Sequence, residues 1–144
     1  LIPDVLLIMA GLGTEKYTNE EKVLALGAYK NIHEVYHASD IIVSSSAFGE
    51  GFSNALGEGM ACGLIPISTD VGDARKIIAD TGKIITIRNH AKLYKAIITI
   101  INYNDIRNML EIDSIDILND CIIKRKINEK RFYRSNRCTL LGCL

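Results

Sequence analysis

The chain has 144 residues, 48% of them apolar and 24% charged, with seventeen basic side chains set against seventeen acidic ones. That length accommodates one compact domain with a real core. The net charge of zero provides no global field for nucleic acid or for a membrane, so partners have to be read from sites, and none of nucleic-acid type is expected.

In chain order, the first signal is VLLIMA at 5–10, a continuous apolar run closed by Gly11-Leu12-Gly13. Such a run marks a strand buried on both faces of a parallel sheet. A second strand is expected at 23–26, ended by Gly27, and a helix at 31–39, where Ile32, Val35 and Tyr36 recur at helical spacing. Nine residues, Thr14 to Lys22, separate the first two strands, too few for an ordinary parallel crossover, so an irregular connection is expected. IIVS at 41–44 is a third buried strand, and 53–62 reads as a helix ended by Gly63 in the left-handed conformation. Strands at 65–69 and 83–87 follow, then an amphipathic helix at 89–102 carrying Leu93, Ala96, Ile97 and Ile100. This alternation indicates an α/β fold, a Rossmann-like parallel sheet with flanking helices. It would occupy 1–104, with ligands bound beyond the carboxyl ends of the strands. A tail at 105–144 is expected to be all-helical.

One stretch concentrates chemistry. In IIVSSSAFGEGFSNALGEGMACG, residues 41–63, a buried strand, a glycine-bearing loop and a helix start follow one another directly. The first turn of a helix presents unpaired N–H groups and partial positive charge, so a diphosphate can rest there. Gly49 and Gly51 let the backbone come close. Glu50 and Glu58, eight residues apart, would flank that cradle. Carboxylates suit hydroxyl-rich ligands because each accepts from two hydroxyls at once, at about 1.5–3 kcal/mol per sheltered bond. Two glutamates at this offset are a weak signal alone; the preceding strand, the Gly-Phe after Glu50 and the small residues around Glu58 strengthen it.

The run SSSAFGEGFSNALGEGMACGLIPISTDVGD, followed by DTGKIITI, resembles the signature of glycosyltransferase family 4, S-x-x-E-G-F-x-x-x-x-x-E-A-M-A-x-G-x-P-V, and within it the subgroup making bacterial exopolysaccharides and capsules. The likeness extends from about Leu6 to Ile87. It implies the C-terminal, donor-binding half of a GT-B enzyme that transfers a sugar, with retention, from a nucleoside-diphosphate sugar to a saccharide or lipid-linked acceptor. By that resemblance Glu50 is the catalytic carboxylate on the donor sugar. Gly51, Phe52, Ser53 and Asn54, with Leu56, line the sugar and diphosphate, and Glu58 holds the ribose diol. Ala28, Tyr29 and Lys30 stand where the base rests, although Tyr29 fits a half-buried packing role equally well. No cofactor and no metal are implied, the nucleotide sugar being substrate.

Departures from that pattern are specific. Gly59 stands where Ala is usual, at a cost of about 0.5–1 kcal/mol in helix stability, and Lys76 stands where Glu is frequent, whereas Asp73 fits the exopolysaccharide subgroup. The acceptor domain expected upstream is missing, and so is the first strand of the donor domain, whose Arg and Lys would neutralise the departing phosphate. That strand belongs in the middle of the sheet, so its loss should leave a gap or force its two neighbours to pair. The chain opens on Leu1 rather than Met, which suggests a partial chain. Two other readings therefore stand beside the enzyme: a catalytically incomplete nucleotide-sugar binding remnant, and a GT-B nucleotide-sugar epimerase.

Remaining candidates favour bland roles. His33 and His37 lie one helical turn apart without a third ligand at metal spacing. Ser44, Ser45 and Ser46 lack the G-x-S-x-G setting of a nucleophile elbow. Cys62, Cys121, Cys138 and Cys143 form no C-x-x-C pair and read as reduced thiols of a cytoplasmic protein. No apolar run reaches the ~20 residues of a membrane span, and Leu-Ile-Pro-Asp lacks the basic start of a signal peptide. The tail from 124 to 137 sets seven basic side chains against Glu129, a face suited to peripheral contact with anionic lipid on the inner face of a membrane, or simply to a solvated helix.

Overall fold

A computed structural model describes residues 5–48, 51–109 and 138–143. The elements in chain order are β1 (Val5–Ala10), a single 3-10 turn (Thr14–Tyr17), β2 (Val23–Gly27), α1 (Ile32–Ala38), β3 (Ile41–Ser44), α2 (Asn54–Ala61), β4 (Ile65–Thr69), α3 (Ala74–Ile78), β5 (Lys83–Ile85), α4 (His90–Met109) and β6 (Cys138–Cys143). The six strands form one sheet in the order β2-β1-β6-β3-β4-β5, every pairing parallel. This is the Rossmann-like α/β architecture that the alternation of apolar runs implies.

Side-chain alternation along the strands divides the core in two. Ile8, Ile42 and Leu141 point to the face covered by α1, α2 and α3, where they meet Val35, Tyr36, Leu56, Ala74 and Ile78. Ile41, Val43, Ile67, Ile85 and Leu140 point to the other face and pack on Ala96, Ile97 and Ile100 of α4. Both faces are covered, which is why the strands read as continuous apolar runs rather than as alternating ones.

The connection from β1 to β2 holds one 3-10 turn in place of a crossover helix, as its length requires. Helix α2 ends as expected. Gly63 has φ +87°, its N–H donates to the Met60 carbonyl at 2.9 Å, and the Leu64 N–H donates to the Gly59 carbonyl at 3.0 Å. That pair of bonds is a Schellman close, open to glycine without strain. Helix α3 was not anticipated, because five residues after Asp73 are too few to show a helical period.

The tail departs from expectation. Cys138–Cys143, read as part of an all-helical segment, is a β-strand, paired along β1 from Val5 to Ala10 and along β3 from Ile41 to Ser44. It fills the position in which a missing upstream strand was expected to leave a gap or bring its neighbours together; neither occurs. The physical reason is pattern: Leu140 and Leu141 supply one apolar side chain to each face. Residues 110–137, which include the basic run, lie outside those described.

Because β1 and β3 each pair with β6 and not with each other, deleting 138–144 should abolish cooperative urea unfolding. Leu141→Ala, at a fully buried position, should cost about 2–5 kcal/mol in the same titration. Leu12→Ala, at a position 84% exposed, should change stability by less than about 0.5 kcal/mol. Cooperative, native-like unfolding of the truncated chain would show that the two halves close on each other without β6.

Candidate functional site

The sheet changes direction at its centre. The chain moves outward from β1 to β2, then crosses to β3 and runs outward through β4 and β5. Open α/β sheets bind ligands at such a switch point, beyond the carboxyl ends of the strands. A cavity of about 430 Å³ lies there. Ala10, Gly11 and Leu12 follow β1 along one wall, Ala28, Tyr29 and Lys30 follow β2, Ile32 and Tyr36 come from α1, Ala55 from the first turn of α2, and Leu141 from β6. Its lining is mainly apolar, suited to the flat face of a base or ring with polar groups at the edge.

Two polar clamps shape the walls. The Thr14 side chain is fully buried, donates from Oγ1 to the Gly11 carbonyl at 2.9 Å and accepts from the Gly27 N–H at 3.0 Å. One hydroxyl therefore fixes the turns that leave β1 and β2. On the other side, Thr69 Oγ1 donates to the Ser46 carbonyl at 2.6 Å and the Asp73 N–H donates to the Gly51 carbonyl at 3.1 Å. Those bonds hold both ends of the loop between β3 and α2 to the end of β4 and the loop that follows it.

The expected donor residues are distributed unequally. Glu50 lies outside the described residues. Gly51 is exposed, and the Phe52 ring is 64% exposed. Ser53 is the N-cap of α2, buried, with no side-chain capping bond, and Asn54 opens the helix in an exposed position. Leu56 is 0% exposed and packs α2 against the sheet with Ile42 and Tyr36, a core position rather than a surface one. The helical period explains this. Leu56 and Gly59 share the face turned to the sheet, whereas Ala55, which lines the cavity, and Glu58, three residues on, share another face.

Glu58 is exposed apart from one bond, accepted at Oε2 from the Tyr36 hydroxyl at 3.0 Å. Tyr29 is at the cavity rim, its hydroxyl donating to Glu34 Oε2 at 2.8 Å, while Asn31 Nδ2 donates to Glu34 Oε1 at 3.3 Å. Donation to that carboxylate, and its negative charge, raise the Tyr29 phenol above its ordinary pKa. Cations beyond the loop are already paired: Arg75 with Asp70, and Lys76 with Asp73 at 2.8 Å. Each of these aspartates raises the pKa of its basic partner, chiefly through the side-chain hydrogen bond.

The model of the family described as glycosyl transferases group 1 matches residues 2–103, well over half of the chain. The chain belongs to that family. It is thus a glycosyltransferase domain of GT-B type, and its six-stranded parallel sheet is consistent with the C-terminal domain of that type. No curated protein matches the chain. Among the described residues no helix is long and apolar enough to cross a membrane. The match ends before β6, so the strand at the centre of this glycosyltransferase sheet comes from outside the matched segment.

Two site features were not visible in the sequence. Tyr36 reads there as a core residue of α1, and its bond to Glu58 joins positions 22 residues apart. The glycine at 59, read as a small loss of helix stability, is a packing requirement. A Cβ there would sit 2.6 Å from Ile42 Cδ1, and Ile42 is fully buried.

Gly59→Ala should therefore fail to raise the melting temperature, although Ala is favoured over Gly in a helix by about 1 kcal/mol. In an Ile42→Val background, which lacks Cδ1, the same change should become stabilising; a gain in the native background would show that Ile42 yields freely. Thr14→Val, which strips the bond to the Gly27 N–H, should cost about 1–3 kcal/mol by chemical denaturation.

Proposed function

We propose that this chain is the donor-binding half of a retaining glycosyltransferase of family 4, which transfers a sugar from a nucleoside-diphosphate sugar to a saccharide or lipid-linked acceptor in cell-surface polysaccharide synthesis. The observation that carries this reading is the position of Glu58: a carboxylate on α2, one turn from the cavity-lining Ala55 and tethered to Tyr36, which lines the apolar pocket at the switch point of the sheet. In this reading the base enters between the turns after β1 and β2, near Tyr29 and Lys30, and the ribose hydroxyls donate to Glu58. The diphosphate rests on the first turn of α2, whose N-cap Ser53 makes no side-chain capping bond, and Gly51, Phe52 and Asn54 border the sugar. Glu50 accepts from the sugar hydroxyls.

The chemistry is electrostatic. As the bond from the anomeric carbon to the diphosphate breaks, the acceptor hydroxyl oxygen bonds to that carbon and its proton passes to the departing phosphate oxygen; negative charge gathers on the leaving group in the transition state, and fixed dipoles aimed at it lower the barrier. An acceptor domain would complete the cleft, and peripheral contact with an anionic membrane would bring a lipid-linked acceptor within reach.

A second reading, a nucleotide-sugar binding module without turnover, is favoured by β6. Its sequence, Cys-Thr-Leu-Leu-Gly-Cys, brings no Arg or Lys to the centre of the sheet, where the leaving phosphate would need one.

Calorimetric titration with a panel of nucleotide sugars should show binding that weakens at least about tenfold in both Glu58→Ala and Glu50→Ala, the loss expected when a carboxylate that accepts hydroxyl bonds is removed. Unchanged affinity in both variants would sink the donor-site assignment. Release of nucleoside diphosphate from the bound sugar, followed by chromatography, separates the enzyme from the module.

A further inference from the structure

Tyr36 is 2% exposed, clustered with Val35, Ile42 and Leu56 beneath α1, with the His33 ring edge-on at 6.2 Å. From that fixed position its hydroxyl reaches across to α2 and donates to Glu58 Oε2. Glu58 is otherwise solvent-facing, on a side chain whose rotors must be ordered before it can hold a ligand. A buried ring that donates to one oxygen sets the carboxylate plane in advance. It also leaves Oε1 and a remaining lone pair of Oε2 open to two further donors, the number that a vicinal diol supplies.

We propose that Tyr36 is a positioning residue: it holds the Glu58 carboxylate in the orientation that accepts both ribose hydroxyls of a nucleoside diphosphate. The inference rests on the donor-site reading and deepens it. Tyr36 acts through Glu58, so its effect belongs to ligands that carry the complete diol and vanishes when either the carboxylate or one hydroxyl is removed.

The test is a double-mutant cycle by calorimetry, using the tightest binder of UDP, GDP and ADP together with its 2′-deoxy counterpart. Tyr36→Phe keeps the ring and removes the hydroxyl that donates to Glu58. It should weaken the ribonucleotide about tenfold while leaving the 2′-deoxynucleotide within about twofold, and it should add nothing in a Glu58→Gln background. If Glu58→Gln weakens the ribonucleotide but Tyr36→Phe binds as the native chain does, the positioning role is overturned and the donor site stands. Equal losses for ribose and deoxyribose ligands overturn it as well, since a merely structural tyrosine would act on both. Should none of the three nucleotides bind, or should Glu58→Gln leave affinity unchanged, the donor-site reading fails and the positioning role fails with it.

Discussion

Among the described residues, two parallel half sheets, β2-β1 and β3-β4-β5, are joined through β6, which bonds to one half along each of its edges. The backbone groups of β1 and β3 that face each other across this slot are deep in the molecule, where an unpaired N–H or carbonyl is costly. A strand that satisfies both edges and sends Leu140 to one core and Leu141 to the other therefore closes the backbone accounting and the packing together. It arrives from the far end of the chain, so the entropy of closing a long loop is set against those gains. The fold thus depends on a non-local pairing of six residues.

The site inherits that dependence. Leu141 is part of the cavity wall, so the pocket exists only where β6 has docked. Around it, the turns after β1 and β2 are held by a single buried threonine, and the loop before α2 is held at two backbone carbonyls by Thr69 and Asp73. Fixed backbone matters here because a helix N-terminus offers direction rather than strength: its partial charge falls off within a turn. A loop that wandered by a few ångströms would lose most of that interaction.

Much of this could be read from the residues. The strands at Val5–Ala10, Ile41–Ser44 and Ile65–Thr69 announce themselves, because burial on both faces demands unbroken apolar runs. The close of α2 at Gly63 follows from glycine's freedom at positive φ. What escaped are relations with no local signature. Helix α3 is shorter than the period that would reveal it, and β6 is a run of six residues whose meaning comes from the slot it fills. Leu56 is next to the loop in sequence, whereas the helical period sends its side chain to the core. Tyr36 and Glu58 meet only because α1 and α2 lie on the same face of the sheet.

Binding and turnover make different demands on this architecture, and the centre of the sheet is where they separate. Recognition of a base and a ribose needs an apolar slot and an oriented carboxylate, and the turns after β1 and β2 with Tyr36 and Glu58 form such an arrangement. Departure of a diphosphate needs positive charge that strengthens its interaction as the bond breaks. Arg75 and Lys76 are committed to aspartates beside them, and β6 carries no cation. Among the described residues, Lys30, after β2, is the one cation in the cavity lining. Under the proposed reading, charge at the central strand position is where a domain that only holds a nucleotide sugar and one that also cleaves it would differ.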